Sequence, residues 1–267
     1  MHLKPAGGQA RQVGHAIVDY TFPPGDMARV PVIGITGTRG KTRTGRMLFR
    51  LLMLHGWRTG LASSDGLFVD RRTLQTGDCA NARQARKILL NREVEAAIIE
   101  NGCHQILNEG LAYERCEVGI ITNIDWSEDI TTHVVLDAQE RVMVYRTQMD
   151  VVLPTGMAVL NADDARVIDL ARYCDGQITL FSKHAKLRAI TDHLETDARA
   201  VFIDHEQLIL AQGSSRINLC NITSIPVTEH ATNQAQIYNV LAAAAAAWAL
   251  GLSPDLIEAG LISFVSD

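Results

Sequence analysis

The sequence has no C-x-x-C pair, no run of lysine or arginine, and no apolar stretch near the roughly 20 residues that a membrane span needs. Each absence removes a class of protein. The five cysteines, Cys79, Cys103, Cys116, Cys174 and Cys220, are scattered and odd in number. They form neither a disulfide framework nor a zinc cage, so reduced thiols in a cytoplasmic protein are the expectation. Lysine and arginine number 25 against 30 acidic residues, a net charge of -5 at pH 7. With no basic tail or Lys/Arg run in the chain, no nucleic-acid or membrane partner is expected. The N-terminal MHLKPAGGQAR lacks an apolar h-region, so no signal peptide is expected. The longest apolar run, Val240 to Leu250, reads as a buried alanine-rich helix. Beyond that alanine tract there is no low-complexity segment, and there is no internal repeat.

What is present is an ordinary globular composition, 47% hydrophobic and 21% charged over 267 residues. Residues 1–29 carry few periodic signals and are punctuated by Pro23-Pro24-Gly25, which reads as a linker. From Val30 onward, short β-branched apolar runs alternate with helical stretches. VPVIGIT (30–36), TGLA (59–62), AAIIE (96–100), VGIITNI (118–124), MAVLN (157–161) and ITLFS (178–182) read as strands. Helices are expected over 41–55, 82–91, about 133–149, 163–174, 233–250 and 254–264, with Gly56 at the end of the first. Strands apolar on both faces and alternating with helices imply a parallel sheet covered on both sides. Between about 200 and 228 the rhythm changes to short alternating runs, which points to a small antiparallel sheet. The expected fold is therefore α/β, a doubly wound, mostly parallel sheet with a small antiparallel appendage.

The stretch VPVIGITGTRGKTRTGRML places a glycine loop between a strand and a helix that opens on lysine. Backbone N–H groups at such a junction point at an anion, and the helix dipole favours negative charge. Gly37 and Gly40 allow the turn and a close approach. Lys41 would reach the β and γ phosphates, and the Thr42 hydroxyl would sit on Mg²⁺. The full P-loop pattern needs glycine where Ile35 stands, so only the shorter G-x-x-G-K-T form fits. No N-K-x-D base motif is present, which speaks against a GTPase.

TGTRGKTRT resembles the TGTNGKTTT loop of the Mur ligase superfamily, ATP-dependent enzymes that join a carboxylate to an amine. HLKPAGGQARQVGHAIVDYTFPPG, SSDGLFVD, GDCANARQAR, CEVGIITNI, LPTGMAVLNADD and NVLAAAAAAWALGL narrow the resemblance. They are similar to the Mur-ligase-like central domain of the cyanophycin synthetase family, over residues 2 to 265. That family builds a polymer with an aspartate backbone and arginine branches. The resemblance implies ATP and Mg²⁺ as cofactors and an acyl phosphate made on an aspartate side chain. It also implies homo-oligomeric assembly. Residues 1–29 match the linker from an upstream ATP-grasp module, residues 30–267 match the central domain, and the family's C-terminal Mur domain would begin where the chain stops.

Carried over residue by residue, the resemblance implies a phosphate cradle of Gly37, Thr38, Arg39, Gly40, Lys41 and Thr42, with Lys41 in the catalytic role. Arg39 and Arg43 replace the family's asparagine and threonine, either adding phosphate contacts or crowding the loop. Glu100, ending the AAIIE strand, falls at a Mg²⁺-binding glutamate. Asp129 falls at a metal-binding histidine, in the stretch Glu128-Asp129-Ile130. Asn239 falls where an asparagine reads the adenine edge. Other positions depart from the pattern. In ENGCHQILNEGL, Cys103 and Asn108 stand where the family has arginines, and His104 and Gln105 where it has glycines. Met143 stands at the lysine that is commonly carbamylated, and reads as helix core or filler. The expected function is the central domain of a ligase forming C–N bonds, with little activity alone. The alternative is a non-catalytic nucleotide-binding or scaffold domain.

Overall fold

The computed structural model describes residue 14, residues 30–125 and residues 138–265. The chain divides into two compact units, Met1–Val30 and Pro31–Asp267. The expected linker over 1–29 lies outside the described residues, apart from residue 14. The second unit carries every element named below.

Its strands join into one 11-stranded sheet in the order β11-β10-β9-β8-β7-β6-β1-β5-β2-β3-β4. The central strands are β1 (Val32–Thr36), β2 (Thr59–Ser63), β5 (Ala96–Glu100), β6 (Cys116–Ile121), β7 (Val152–Asn161), β8 (Gln177–Ser182) and β9 (Arg199–Asp204). All of these pair in parallel. Antiparallel strands finish both ends. On one side are β3 (Gly66–Val69) and β4 (Arg72–Thr76), and on the other β10 (Gln207–Gln212) and β11 (Ser215–Asn221). The expected appendage is thus an extension of the main sheet rather than a sheet of its own, because β9 continues the parallel ladder from β8 before turning back. The β2–β3–β4 meander was not foreseen.

Helices cover both faces, and the alternation of side chains along β1 shows which lies where. Ile33 and Ile35 point into the main core with α1 (Lys41–Leu54) and α7 (Gln234–Ala249). Gly34, between them, faces Gln148 of α4 (Ala138–Asp150). Likewise Leu61 joins the α1 core, whereas Gly60 faces Ile88 of α2 (Ala82–Leu89). On the α1 face, α8 (Pro254–Ile262) closes the layer against α1 and α7. From Val240 to Ala249 helix α7 is apolar all round, and it lies across β6–β9, with Ala242 to Ala247 fully buried. Small side chains there let the helix approach the sheet closely.

Among the described residues there are also the shorter α-helices α3 (Cys103–Glu109), α5 (Ala165–Ile168) and α6 (Arg188–Glu195). The helix expected over 163–174 is α5 followed by a 3₁₀ turn at Asp169–Tyr173, with the Asp164 carboxylate accepting from Arg166 N at its start. Among the described residues, no helix is long and apolar enough to cross a membrane.

Candidate functional site

Strand β1 is the switch point of the sheet: β5 and β2 lie on one side, β6 to β9 on the other. Open α/β sheets bind ligands outside the carboxyl ends of the strands at such a point. The loop Gly37–Gly40 leaves β1 there. Gly37 (φ +124°) and Gly40 (φ +86°) adopt a backbone that L residues rarely hold. Their neighbours also leave no room for a side chain. A Cβ on Gly37 would lie 2.2 Å from Thr122 Oγ1, and one on Gly40 2.2 Å from Asn239 Oδ1.

The loop is held from the end of the adjacent strand. Asn123 accepts from Thr38 N through its backbone oxygen (2.9 Å) and from Arg39 N through Oδ1 (3.0 Å). Thr122 Oγ1 and Asn123 Nδ2 donate to Arg39 O at 2.7 and 3.0 Å. Asp125 N donates to Thr38 Oγ1 at 2.8 Å. Lys41 folds back, its Nζ donating to Gly37 O (2.9 Å) and Thr38 O (3.1 Å). Helix α1 then opens on Gly40 with no side-chain cap. Its first amides have no intrahelical acceptor and stand at the positive end of the dipole.

A second group flanks the helix start. Thr42 Oγ1 donates to Glu100 Oε1 at 3.2 Å and lies 2.8 Å from Ser64 Oγ. Glu100 Oε2 accepts from Ser64 N at 3.0 Å. Glu100 is 5% exposed. Burial pushes its carboxyl above the ordinary range, opposed by the Ser64 amide, the Lys41 charge and the Thr42 hydroxyl. Among the described residues, no three His, Cys, Asp or Glu side chains cluster as a metal cage would require. Glu100 and Thr42 instead offer two hard oxygens, a set that suits Mg²⁺ when phosphates and water supply the rest.

The structure brings Gly37, Thr38, Arg39, Gly40, Lys41, Thr42, Glu100 and Asn239 to one place. Asn239 is buried beside Gly40, and its Nδ2 donates to Gln236 Oε1 at 3.1 Å. The Arg39 side chain is 75% exposed and lies 3.7 Å from Asp125 Oδ2. Asp129, with Glu128 and Ile130, lies outside the described residues. Cys103 is buried at the start of α3, and Asn108 Nδ2 meets the exposed His104 ring at 2.9 Å (Nε2). Met143, read as helix core or filler, is a correction as to core: it is 47% exposed on α4.

Sequence reasoning missed Thr122, Asn123 and Ser64. It also missed a polar network under β1. Asn101 Nδ2 donates to Tyr113 Oη (2.7 Å), which donates to Gln148 Oε1 (2.8 Å), while Thr36 Oγ1 donates to Asn101 O (2.8 Å). Burial pushes the Tyr113 hydroxyl well up. A usable signal existed for Thr122-Asn123: two short polar residues directly after a buried strand that neighbours the loop strand.

This is a glycine-loop α/β domain whose polar side chains converge at the switch point, and the chain belongs to the Mur ligase middle domain family, whose model matches residues 35–247. Within that superfamily the similarity points to one branch. The cyanophycin synthetase of Geminocystis herdmanii is 33% identical over 265 residues, covering 99% of this chain and 30% of that protein. The cyanophycin synthetase of Synechocystis is 30% identical over 266 residues, again 30% of its length. More distantly, a UDP-N-acetylmuramoyl-L-alanyl-D-glutamate–2,6-diaminopimelate ligase of Geobacter metallireducens is 24% identical over 87% of the chain and 44% of that enzyme. A solved structure of a ligase with that name superposes with a TM-score of 0.66 at 15% identity, covering 94% of this chain and 49% of the other. The chain thus spans about 30% of the cyanophycin synthetases that it matches.

Proposed function

We propose that the chain is the ATP-binding central part of an ATP-dependent ligase of the cyanophycin synthetase type. The observation that carries this is the left-handed glycine loop and uncapped helix start standing beside the Thr42–Glu100 pair. The loop would cradle the ATP phosphates on backbone amides, with Lys41 leaving the loop carbonyls to meet the β and γ oxygens. Thr42 and Glu100 would hold Mg²⁺, with Asp129 as a further ligand. Bound there, Mg²⁺ would neutralise charge on the phosphoryl group in transfer. A substrate carboxylate attacks the γ phosphorus to form an acyl phosphate and ADP, and an amine then displaces phosphate. The residues in the loop position and neutralise; they form no covalent bond. Asn239, beside Gly40, would read the adenine edge with its amide. By relatedness, the acid is an aspartate side chain of a polymer, the amine is arginine, and assembly is homo-oligomeric.

A second reading is favoured by Cys103, Asn108 and Met143, which leave the site without the cations and lysine of the resembling enzymes. It is a domain that keeps the nucleotide or only the scaffold, without turnover. We place the chain alone between the two: it binds Mg-ATP and ligates little. Calorimetric titration with Mg-ATP is expected to show binding that Lys41→Ala weakens at least about tenfold, or about 1.4 kcal/mol. No heat from the folded wild type would leave the scaffold reading. Rapid product formation from primer, aspartate, arginine and ATP would defeat the claim of low turnover.

A further inference from the structure

On the α4 face of the sheet, behind the phosphate loop, the Tyr113 hydroxyl stands among four segments of the chain. Asn101, the residue after Glu100, donates from Nδ2 to Tyr113 Oη at 2.7 Å, and Tyr113 Oη donates to Gln148 Oε1 at 2.8 Å. Gln148 Oε1 also lies 3.2 Å from Asn101 Nδ2, which closes a triangle. The backbone of Asn101 is held as well. Its N–H donates to Ile35 O and its carbonyl accepts from Thr36 Oγ1, both at 2.8 Å. Strand β1 leaves room for the triangle because residue 34 is glycine: a Cβ there would overlap Tyr113 Oη and the Gln148 amide. We infer that Tyr113 is a positioning residue: through Asn101 and Gln148 it sets the Glu100 carboxylate against the phosphate loop, and so governs how tightly the site holds Mg²⁺ with ATP. The inference deepens the ligase reading and rests on it for the identity of those ligands.

The reach of the triangle to both halves of the site carries the inference. On one side Glu100 directly precedes Asn101, and its carboxylate meets Thr42 and Ser64. Successive side chains at a strand end point to opposite faces, so bonds that fix Asn101 also fix the direction of Glu100. On the other side, Gln148 lies one turn of α4 beyond Tyr145, and residues three apart are neighbours on a helix surface. Tyr145 Oη lies 3.4 Å from Thr38 Oγ1 in the loop. The loop and Glu100 are thus tied to the same helix, one through Tyr145 and the other through Gln148.

The polar character of the triangle points beyond folding. Gln148 is fully buried and Asn101 nearly so. Burying amides is costly unless each finds its partners, whereas apolar residues of like volume would fill the layer without that demand. An apolar filling holds elements together; hydrogen bonds also fix distance and angle. Functional groups must be held within about 0.5 Å of their working geometry, and the triangle supplies that constraint directly behind Glu100. Gln148 Nε2 is occupied too, 3.4 Å from Cys116 Sγ. Burial keeps the Tyr113 hydroxyl protonated, so one oxygen both accepts from Asn101 and donates to Gln148. Phenylalanine at 113 would keep the ring and lose both bonds.

The test is calorimetric titration of the full chain with ATP, once in Mg²⁺ and once in EDTA. Metal-free ATP reads the loop amides and Lys41, and the gain on adding Mg²⁺ reads Glu100. Loss of a group that orients a metal ligand typically costs about 10–100-fold in affinity. Tyr113 acts one bond further back, so Tyr113→Phe should weaken Mg-ATP by about tenfold, at the low end of that range, and leave metal-free ATP unchanged. Gln148→Met should do the same, and it carries the comparison if Tyr113→Phe does not fold. The double variant should lose no more than the worse single one, because both cut one network. Leu210→Ala, which opens a cavity at buried β10 near the sheet margin, controls for lost stability. It should lower the melting temperature and leave Mg-ATP affinity intact. Where metal-free ATP binds too weakly to read, this control alone decides. Unchanged Mg-ATP affinity in Tyr113→Phe and Gln148→Met would overturn the positioning role and leave the nucleotide site standing. So would equal weakening with and without the metal, additive losses in the double variant, or a matching loss in Leu210→Ala. If wild type binds ATP in neither condition, the ligase reading falls and the positioning role falls with it.

Discussion

Glu100 shows how one residue couples the site to stability. Its carboxyl is buried and its protonated form is favoured in the folded chain. A raised folded-state pKa means that stability is highest below the unfolded carboxylate value. It declines as pH rises from there through the folded value, and above it the full penalty remains. Glu100→Gln keeps an oxygen to accept from Ser64 N, turns an N–H toward Thr42 Oγ1, which can accept it, and removes the charge. The variant should therefore melt higher than wild type at pH 7, with the gap closing as pH falls toward 4. Thermal melts across that range would show it, and a gap that widens in acid would contradict the burial argument. In the same variant Mg-ATP should bind more weakly. The loop residues and Glu100 were legible because their chemistry is local: a glycine that must turn, a lysine at a helix start, a carboxylate ending an apolar strand. Asn123 was not, since its bond to Arg39 N joins residues 84 positions apart. Only the sheet brings them together.

Among the elements, α7 shows what the alanine tract does. Six consecutive alanines, Ala242 to Ala247, are fully buried between β6–β9 and the helices α1 and α8. Ala244→Leu adds three carbons where there is no room, and should destabilise the chain by about 1–3 kcal/mol. Denaturant melts would report this as a lower midpoint at unchanged slope; no shift would mean that the helix stands off the sheet. The burial of this helix could be read from composition alone. The short elements could not. Helix α3 has seven residues, too few for a period to show. Helix α6 carries only Ile190 and Leu194 as buried anchors. Strand β4 is exposed at every residue and so lacks the apolar alternation that marks a strand. The hairpin before it turns on Ser64-Asp65, with Ser63 paired to Gly66. That turn also places Ser64 against Glu100, so the element missed in the sequence is one that helps build the site.

Across the whole unit, the parallel strands are all interior. The antiparallel strands β4 and β11 form the two margins of the sheet, and the seam between β1 and its neighbours sits in the middle. The sequence conveyed the parallel centre through strands apolar on both faces, but not where the margins lay, because strand order depends on contacts between distant segments. The order has a consequence for how the fold opens. An amide in β1, β5 or β6 loses protection only when layers on both faces and strands on both sides come apart, whereas β4 and β11 can detach singly. Deuterium uptake followed by mass spectrometry should therefore run in sequence from both margins inward, with peptides from β4 and β11 labelled first and those from β6 and its neighbour β1 last. Equal uptake in β4 and β1 would mean that the unit opens in a single step. Otherwise a ranking of labelling half-lives would follow distance from the margins, and the slowest peptides would be those of β6 and β1, which hold and carry the phosphate loop.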